Sequence, residues 1–334
     1  MFRVPPFFYL LVFLGFFCAT SPVQATTAKA RQGVKEAKTR CKDPLKALGL
    51  SKDQVEGESR DLLLKSGIDA NELRDHVESV YLSMTGQGPE VSYNIRKLKT
   101  KKTLNDSEWD RMEEISDLVL QKLFRRATYN GKSFSQAERE VGEAEEVTVV
   151  THLTKPLQAG LKNYLEKNKE KFPHSRSKWL FLVDPVSIEH LGADPAPLAT
   201  LIEPSKGGEF NTELSAKKIN IMGGYIEDCM TKTIHKSSTS ALLDPASKSV
   251  DLLVHVEMSY MENDKSLASV RNKDREYYLT ALEDLESRIK EEFDGDRHQI
   301  KSMKGMRRDG NPIDFEYQIV RTDGKVINIR FGNP

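Results

Sequence analysis

After Glu146 the chain alternates short runs of β-branched and aromatic residues with segments long enough for amphipathic helices. Few folds accommodate that rhythm. Val147 to Thr151 reads as a strand, and about Pro156 to Lys171 as an amphipathic helix with proline at its start. Trp179 to Val183 reads as the next strand and ends at Asp184-Pro185. Residues 189–214 are rich in proline and glycine and carry no clear element. Strand Ile219 to Met222, a Gly-Gly turn, a helix from about Glu227 to His235 and strand Val250 to Met258 follow. Strands in this alternation favour a parallel sheet with helices on its faces, because parallel neighbours need a crossover between them.

The flanks read differently. From Thr26 to about Gly142 the pattern is helical. Asp69 to Glu72 resembles a capping box, and Leu73, Val77, Val80, Tyr81 and Met84 then share one face before Gly86 stops the helix. A second helix starts at Asp106-Ser107 and carries Trp109, Met112, Ile115, Val119 and Leu123. A shorter one begins at Ser51, with Leu62 to Leu64 near its end, and the basic stretch Lys97 to Lys102 reads as a solvated linker. At the other end, Arg275 to Phe293 reads as a long charged helix with Leu279, Leu282, Leu285 and Ile289 on one side. Residues 313–331 then alternate as a hairpin that turns at Asp323-Gly324. The fold class expected is α/β: a parallel-sheet core with flanking helices (144–265), a helical N-terminal region (26–143), and a C-terminal helix and β-hairpin (266–334) packed on the core.

Residues 1–25 read as a secretory signal. Arg3 is the one charged side chain, Phe7 to Phe17 is an unbroken apolar run of eleven residues, and Val23-Gln24-Ala25 offers a small-residue cleavage site. A spanning helix needs about 20 apolar residues, so the run suits a signal better than an anchor. No later stretch is apolar enough to span a bilayer, and the expected product is periplasmic or secreted, with its mature form starting at Thr26. The chain carries 50 basic and 50 acidic residues, and removing Arg3 leaves 49 against 50, a formal charge of −1. That balance argues against nucleic acid as the main partner, which favours a basic excess. Cleavage also removes Cys18 and leaves only Cys41 and Cys229, which in an oxidising compartment can form one disulfide.

In an open parallel sheet, ligands bind beyond the carboxyl ends of the strands. That edge would present His152, Asp184, Cys229 and Glu257. Cys229 follows the Gly-Gly turn and falls in the first turn of the next helix, where the helix terminus favours a thiolate. His152 or Asp184 could then act as base or orienting group. The segment Gly223-Gly224-Tyr225-Ile226-Glu227-Asp228-Cys229-Met230-Thr231-Lys232-Thr233 resembles the strand–turn–helix of isochorismatase-like cysteine hydrolases, with Gly223, Cys229 and Thr233 at the family's spacing. Residues 210–214 are faintly similar to the family's preceding segment. The resemblance, over about residues 206–233, implies a doubly wound fold and hydrolysis of an amide or vinyl ether through a covalent intermediate. It would make Cys229 the nucleophile, Asp184 the acidic partner and Lys206 the catalytic lysine.

Plainer readings stand beside these. Cys229 suits a small buried position at a helix–sheet junction or a bond to Cys41; His152 suits a loop-holding role, and Asp184 before Pro185 is a common turn opener. His255 and Glu257 share a strand face, but two residues make no metal site. HExxH, CxxC, Walker and GxSxG motifs are absent, so no cofactor is implied. The function expected is a non-catalytic binding or interaction protein of the cell envelope, with an unidentified protein or small-molecule partner; the alternative is a cysteine-dependent hydrolase.

Overall fold

The strongest helical pattern, from residue 70 onward, sets the first layer of the fold. A computed structural model describes residues 43–334 apart from 86, 90, 153–154, 169–176, 185–197, 206, 227, 261–266, 268–279, 281–282, 285–286, 289–290, 292–299, 308–314 and 333–334. Helices α1 (Pro44–Ala47), α2 (Gly57–Ser66), α3 (Ala70–Met84), α4 (Asp106–Arg126) and α5 (Phe134–Gly142) make up the N-terminal region. Asp69 caps α3 by accepting from the Asn71 amide at 2.9 Å. The reciprocal capping box falls instead at Asn105 and Glu108, where α4 begins. Leu73, Val77, Val80 and Met84 of α3 are fully buried and meet Met112, Ile115, Val119 and Phe124 of α4. Tyr81 and Phe124 close that contact edge-to-face, with ring centroids 5.0 Å apart. The helix expected from Ser51 divides in two: a 3₁₀ turn over Lys52–Gln54 precedes α2, which ends at Gly67 in the left-handed region.

A two-residue ribbon, β1 (Thr128–Tyr129) and β2 (Lys132–Ser133), leads into the sheet. Its strands are β3 (Glu146–Thr151), β4 (Ser177–Val183), β5 (Leu201–Pro204), β6 (Lys218–Gly223), β7 (Ser249–His255), β8 (Ile300–Arg307), β9 (Phe315–Arg321) and β10 (Val326–Gly332). Helices α6 (Lys155–Lys167) and α7 (Cys229–Ala241) follow β3 and β6. The order is β5-β4-β3-β6-β7-β10-β9-β8, parallel from β5 through β10 and antiparallel at β9 and β8. This is a doubly wound arrangement. It reverses between β3 and β6, which makes the carboxyl ends of those two strands the topological switch point.

The expected α/β architecture is therefore present, and three of its details change. The hairpin forms about Asp323-Gly324, but β10 also pairs in parallel with β7, so the hairpin extends the main sheet. Strands β5 and β8 arise in segments that showed no strand pattern. β5 has only four residues, the last of them Pro204, and β8 (Ile-Lys-Ser-Met-Lys-Gly-Met-Arg) lacks β-branched alternation. Both are edge strands, where short length and charge are the usual protection against further pairing. The strand expected over 250–258 stops at His255, and Val256–Met258 form a 3₁₀ turn.

The two sheet faces divide cleanly. Val147, Val149 and Thr151 face α7, whereas Glu146, Thr148 and Val150 point the other way, as the strand alternation requires. One continuous apolar core runs from Leu45 to Phe331, joining the helical region to the sheet within a single unit, Asp43–Pro334. Tyr129 reinforces the junction, its hydroxyl 3.1 Å from the Ile202 carbonyl of β5. No described helix is long and apolar enough to cross a membrane. The residues of the expected signal, and Cys41, lie outside those described.

Candidate functional site

Three strand ends and one helix start converge at the switch point. β3 ends at Thr151, and His152 follows with a φ of 41°, a left-handed conformation that is uncommon for a residue bearing a Cβ. The His152 amide donates to the Leu182 carbonyl of β4 at 3.0 Å, and Ser205 after β5 donates likewise to Val183 at 2.9 Å. β6 ends in the Gly-Gly turn. Gly223 and Gly224 have φ values of 77° and 73°; a Cβ on Gly223 would lie 2.1 Å from the Thr151 carbonyl oxygen, and one on Gly224 would lie 3.0 Å from the Cys229 sulfur. Only glycine fits this close approach. The chain from 224 to 226 is stitched to Tyr260 by two backbone hydrogen bonds of 3.1 and 2.9 Å.

α7 starts at Cys229 rather than at about Glu227, and Cys229 falls in its first turn, as the sequence predicts. It is 2% exposed, and its Sγ accepts a hydrogen bond from the Tyr225 amide at 3.3 Å. Cys229 forms no disulfide among the described residues. One turn later Thr233 closes the junction. Its hydroxyl lies 3.0 Å from the Cys229 carbonyl and 3.1 Å from the Gly208 carbonyl, and the Thr151 hydroxyl donates to it at 3.1 Å. The loop from 207 to 214 is held from its far side by Glu203, a buried carboxylate that accepts from the Thr212 hydroxyl at 2.7 Å. No helix occurs among the described residues of that crossover.

His152 is the electrostatic centre of this edge. Burial pushes its pKa below the ordinary histidine value, and this outweighs the opposing pull of the Asp184 charge, a hydrogen bond to the Ser205 backbone and the Asp228 charge. The ring is thus neutral at pH 7. Its Nε2 is buried and has no hydrogen-bond partner among the described residues. Three more buried orphan atoms lie along the same edge: Ser205 Oγ after β5, Thr231 Oγ in the first turn of α7, and Ser259 Oγ beyond β7. Four of the eight such atoms therefore sit at one sheet edge. Buried polar groups are nearly always satisfied, so a concentration of exceptions marks a place built for something other than stability.

A cleft of about 470 Å³ opens over the amino end of α7. Asp228, Thr231 and Lys232 line one wall. Asp284, Ser287, Arg288 and Glu291 line the other, at i, i+3, i+4 and i+7 on helical residues of the segment expected to form the C-terminal helix.

Of the residues singled out from sequence, the edge brings together His152, Asp184 and Cys229. Glu257 belongs elsewhere: its carboxylate pairs with Lys167 of α6 at 3.1 Å. Lys206 lies outside the described residues. His255 does not join Glu257 in a shared site, because it turns inward to Tyr164, 2.6 Å from its Nδ1. No metal-binding group occurs among the described residues. Thr231, Lys232 and the four residues from 284 to 291 escaped the sequence reading, although the charged i, i+4, i+7 spacing of the latter was visible. Compared with family models, curated proteins and solved structures, the chain matches none.

Proposed function

We propose that this chain is an exported, non-catalytic binding protein of the cell envelope, periplasmic or secreted, whose ligand site is the cleft at the carboxyl edge of the sheet. The observation that carries the reading is the burial of Cys229. A nucleophile must be reachable, yet this sulfur is 2% exposed, sits under the Gly-Gly turn and lines no described cavity. The cleft lies on the outer side of the same helical turn, where an open parallel sheet receives ligands. The near-neutral charge of the mature chain suits a specific small-molecule or protein partner rather than a polyanion.

Thiol chemistry on the mature protein tests this. Iodoacetamide labelling of Cys229 at pH 7.5 should be at least about 100-fold slower in the native state than in urea, as expected for a thiol reached only through opening. Intact mass of the exported form should place its first residue at Thr26. Rapid native labelling would overturn the non-catalytic reading.

One observation favours a second reading, a cysteine hydrolase of the isochorismatase-like type: a neutral, orphaned His152 Nε2 at the edge that carries Cys229. Under that reading His152 takes the thiol proton, and Asp184 orients the ring. Native labelling would then be fast at neutral pH and would slow on His152→Asn substitution.

A further inference from the structure

We infer that the cleft over α7 is a receptor for a small zwitterion, an α-amino acid or dipeptide, which presents its carboxylate to Lys232 and Arg288 and its ammonium to Asp284 and Glu291. The inference rests on the binding reading above and names the ligand class for that site.

The five charged side chains around the cleft are Asp228, Lys232, Asp284, Arg288 and Glu291. None of them forms a salt bridge among the described residues, although Asp284 and Arg288 stand at i, i+4 and Asp228 and Lys232 do likewise. Charges that could have neutralised each other along their own helices instead face a shared space. A ligand of a single sign would meet at least two like charges there. A zwitterion meets a partner at both ends, and amide dipoles at the start of α7 add to the pull on its carboxylate.

Thr231 supplies the second element. It is 2% exposed and lines the cleft, and its hydroxyl is one of the four orphans of this edge. A hydroxyl without a partner at the floor of a polar cleft is what a ligand carboxylate or amide would satisfy. The cleft's volume, about 470 Å³, falls among small-molecule sites, typically about 300–1,000 Å³, and is too small to seat a folded partner.

Isothermal titration calorimetry of the mature protein with alanyl-alanine tests the inference, alongside N-acetyl-alanyl-alanine and alanyl-alanine amide, which each lack one charge. The free dipeptide should bind with a Kd of about 1 mM or tighter, and each blocked form about tenfold more weakly. Arg288→Gln should weaken the dipeptide about tenfold and leave the amide unchanged, since the amide already lacks the group that arginine holds. Asp284→Asn should do the same for the acetylated form. Both positions are exposed, so folding is not at stake. No heat from the dipeptide, equal binding of the blocked forms, or variants that bind like the parent would each overturn the zwitterion assignment. Iodoacetamide labelling of the same samples separates the two levels. Slow labelling with silent calorimetry removes the zwitterion alone, whereas fast labelling removes the binding reading beneath it.

Discussion

The face of the sheet opposite α7 buries a hydrogen-bonded chain whose protonation should govern acid stability. The Tyr164 hydroxyl meets His255 Nδ1 at 2.6 Å, His255 Nε2 meets Asn220 Oδ1 at 3.2 Å, and Asn220 Nδ2 donates to Glu146 at 2.9 Å. The last bond fixes the direction of the rest. Because the Asn220 amide nitrogen donates to Glu146, its oxygen faces the imidazole as an acceptor, so Nε2 carries the proton and Nδ1 accepts from tyrosine. A second ring proton would point at a hydroxyl donor. Burial, with the Lys218 charge added, lowers the His255 pKa from 6.5 to about 3.

The sign follows from which state binds the proton. Below pH 6.5 the unfolded chain protonates at His255 while the folded chain does not, so stability is intact at pH 7 and falls as pH drops toward about 3. At about 1.4 kcal/mol per pH unit, this residue alone should remove about 2 kcal/mol between pH 7 and pH 5. His152, also held low by burial, acts in the same direction. Urea unfolding read by fluorescence of Trp179, which is 3% exposed, measures the total. His255→Gln isolates the share of one residue: the variant should be less stable at pH 7 by about 1–3 kcal/mol, through its altered hydrogen bonds. Its loss from pH 7 to pH 5 should be smaller than the parent's by about 2 kcal/mol. An unchanged pH dependence in the variant would refute the assignment of the titrating group.

Two further predictions concern the switch point. Gly223→Ala should cost about 3 kcal/mol or prevent folding, because the left-handed backbone and a Cβ 2.1 Å from a carbonyl oxygen act together. Gly131→Ala has a similar φ of 81° with nothing within 4 Å, so it should cost only about 1 kcal/mol, and a comparison of urea midpoints separates conformational strain from collision. Thr233→Val removes the hydroxyl that ties Thr151, Cys229 and Gly208 together; it should destabilise by about 1–3 kcal/mol and speed amide hydrogen exchange first in residues 207–214.

What was legible in the sequence was what depends on local pattern. Val147 to Thr151, Trp179 to Val183 and Ile219 to Met222 are buried on both faces, so their continuous apolar runs announce central parallel strands. The Asp323-Gly324 turn was equally plain, because its geometry is set by two residues. What stayed hidden depends on long-range partners. β5 becomes a strand because β4 offers it a ladder, and β8 because β9 does, so neither needs strong propensity of its own. For the site, a glycine pair followed by cysteine marked the turn but left open whether the cysteine is a nucleophile or a small buried residue. The spacing that matches a nucleophile also suits a sulfur packed beneath Gly224, and the burial of Cys229, which weighs toward the second, is not legible in the sequence. Charges 284–291 form a recognisable face, yet nothing local ties them to Lys232, more than fifty residues earlier.

The distribution of unsatisfied groups links these levels. An orphan buried polar atom costs about 1–3 kcal/mol, a substantial part of the marginal stability of a domain. On the opposite face of the sheet and around β5 many buried groups escape that cost. Thr148 bonds Ser177, Asn220 bonds both His255 and Glu146, and Thr212 satisfies Glu203. A sheet that finds partners for so many interior groups, yet leaves His152 Nε2, Ser205 Oγ, Thr231 Oγ1 and Ser259 Oγ without a partner among the described residues, has concentrated these atoms along one edge. The left-handed His152 adds a conformational cost at the same place. Strain and orphan atoms accumulate where the strand order reverses, beside a cleft lined by charges that do not pair. A binding edge accounts for all three features at once, whereas a purely structural role for the junction accounts for the glycines and Thr233 alone.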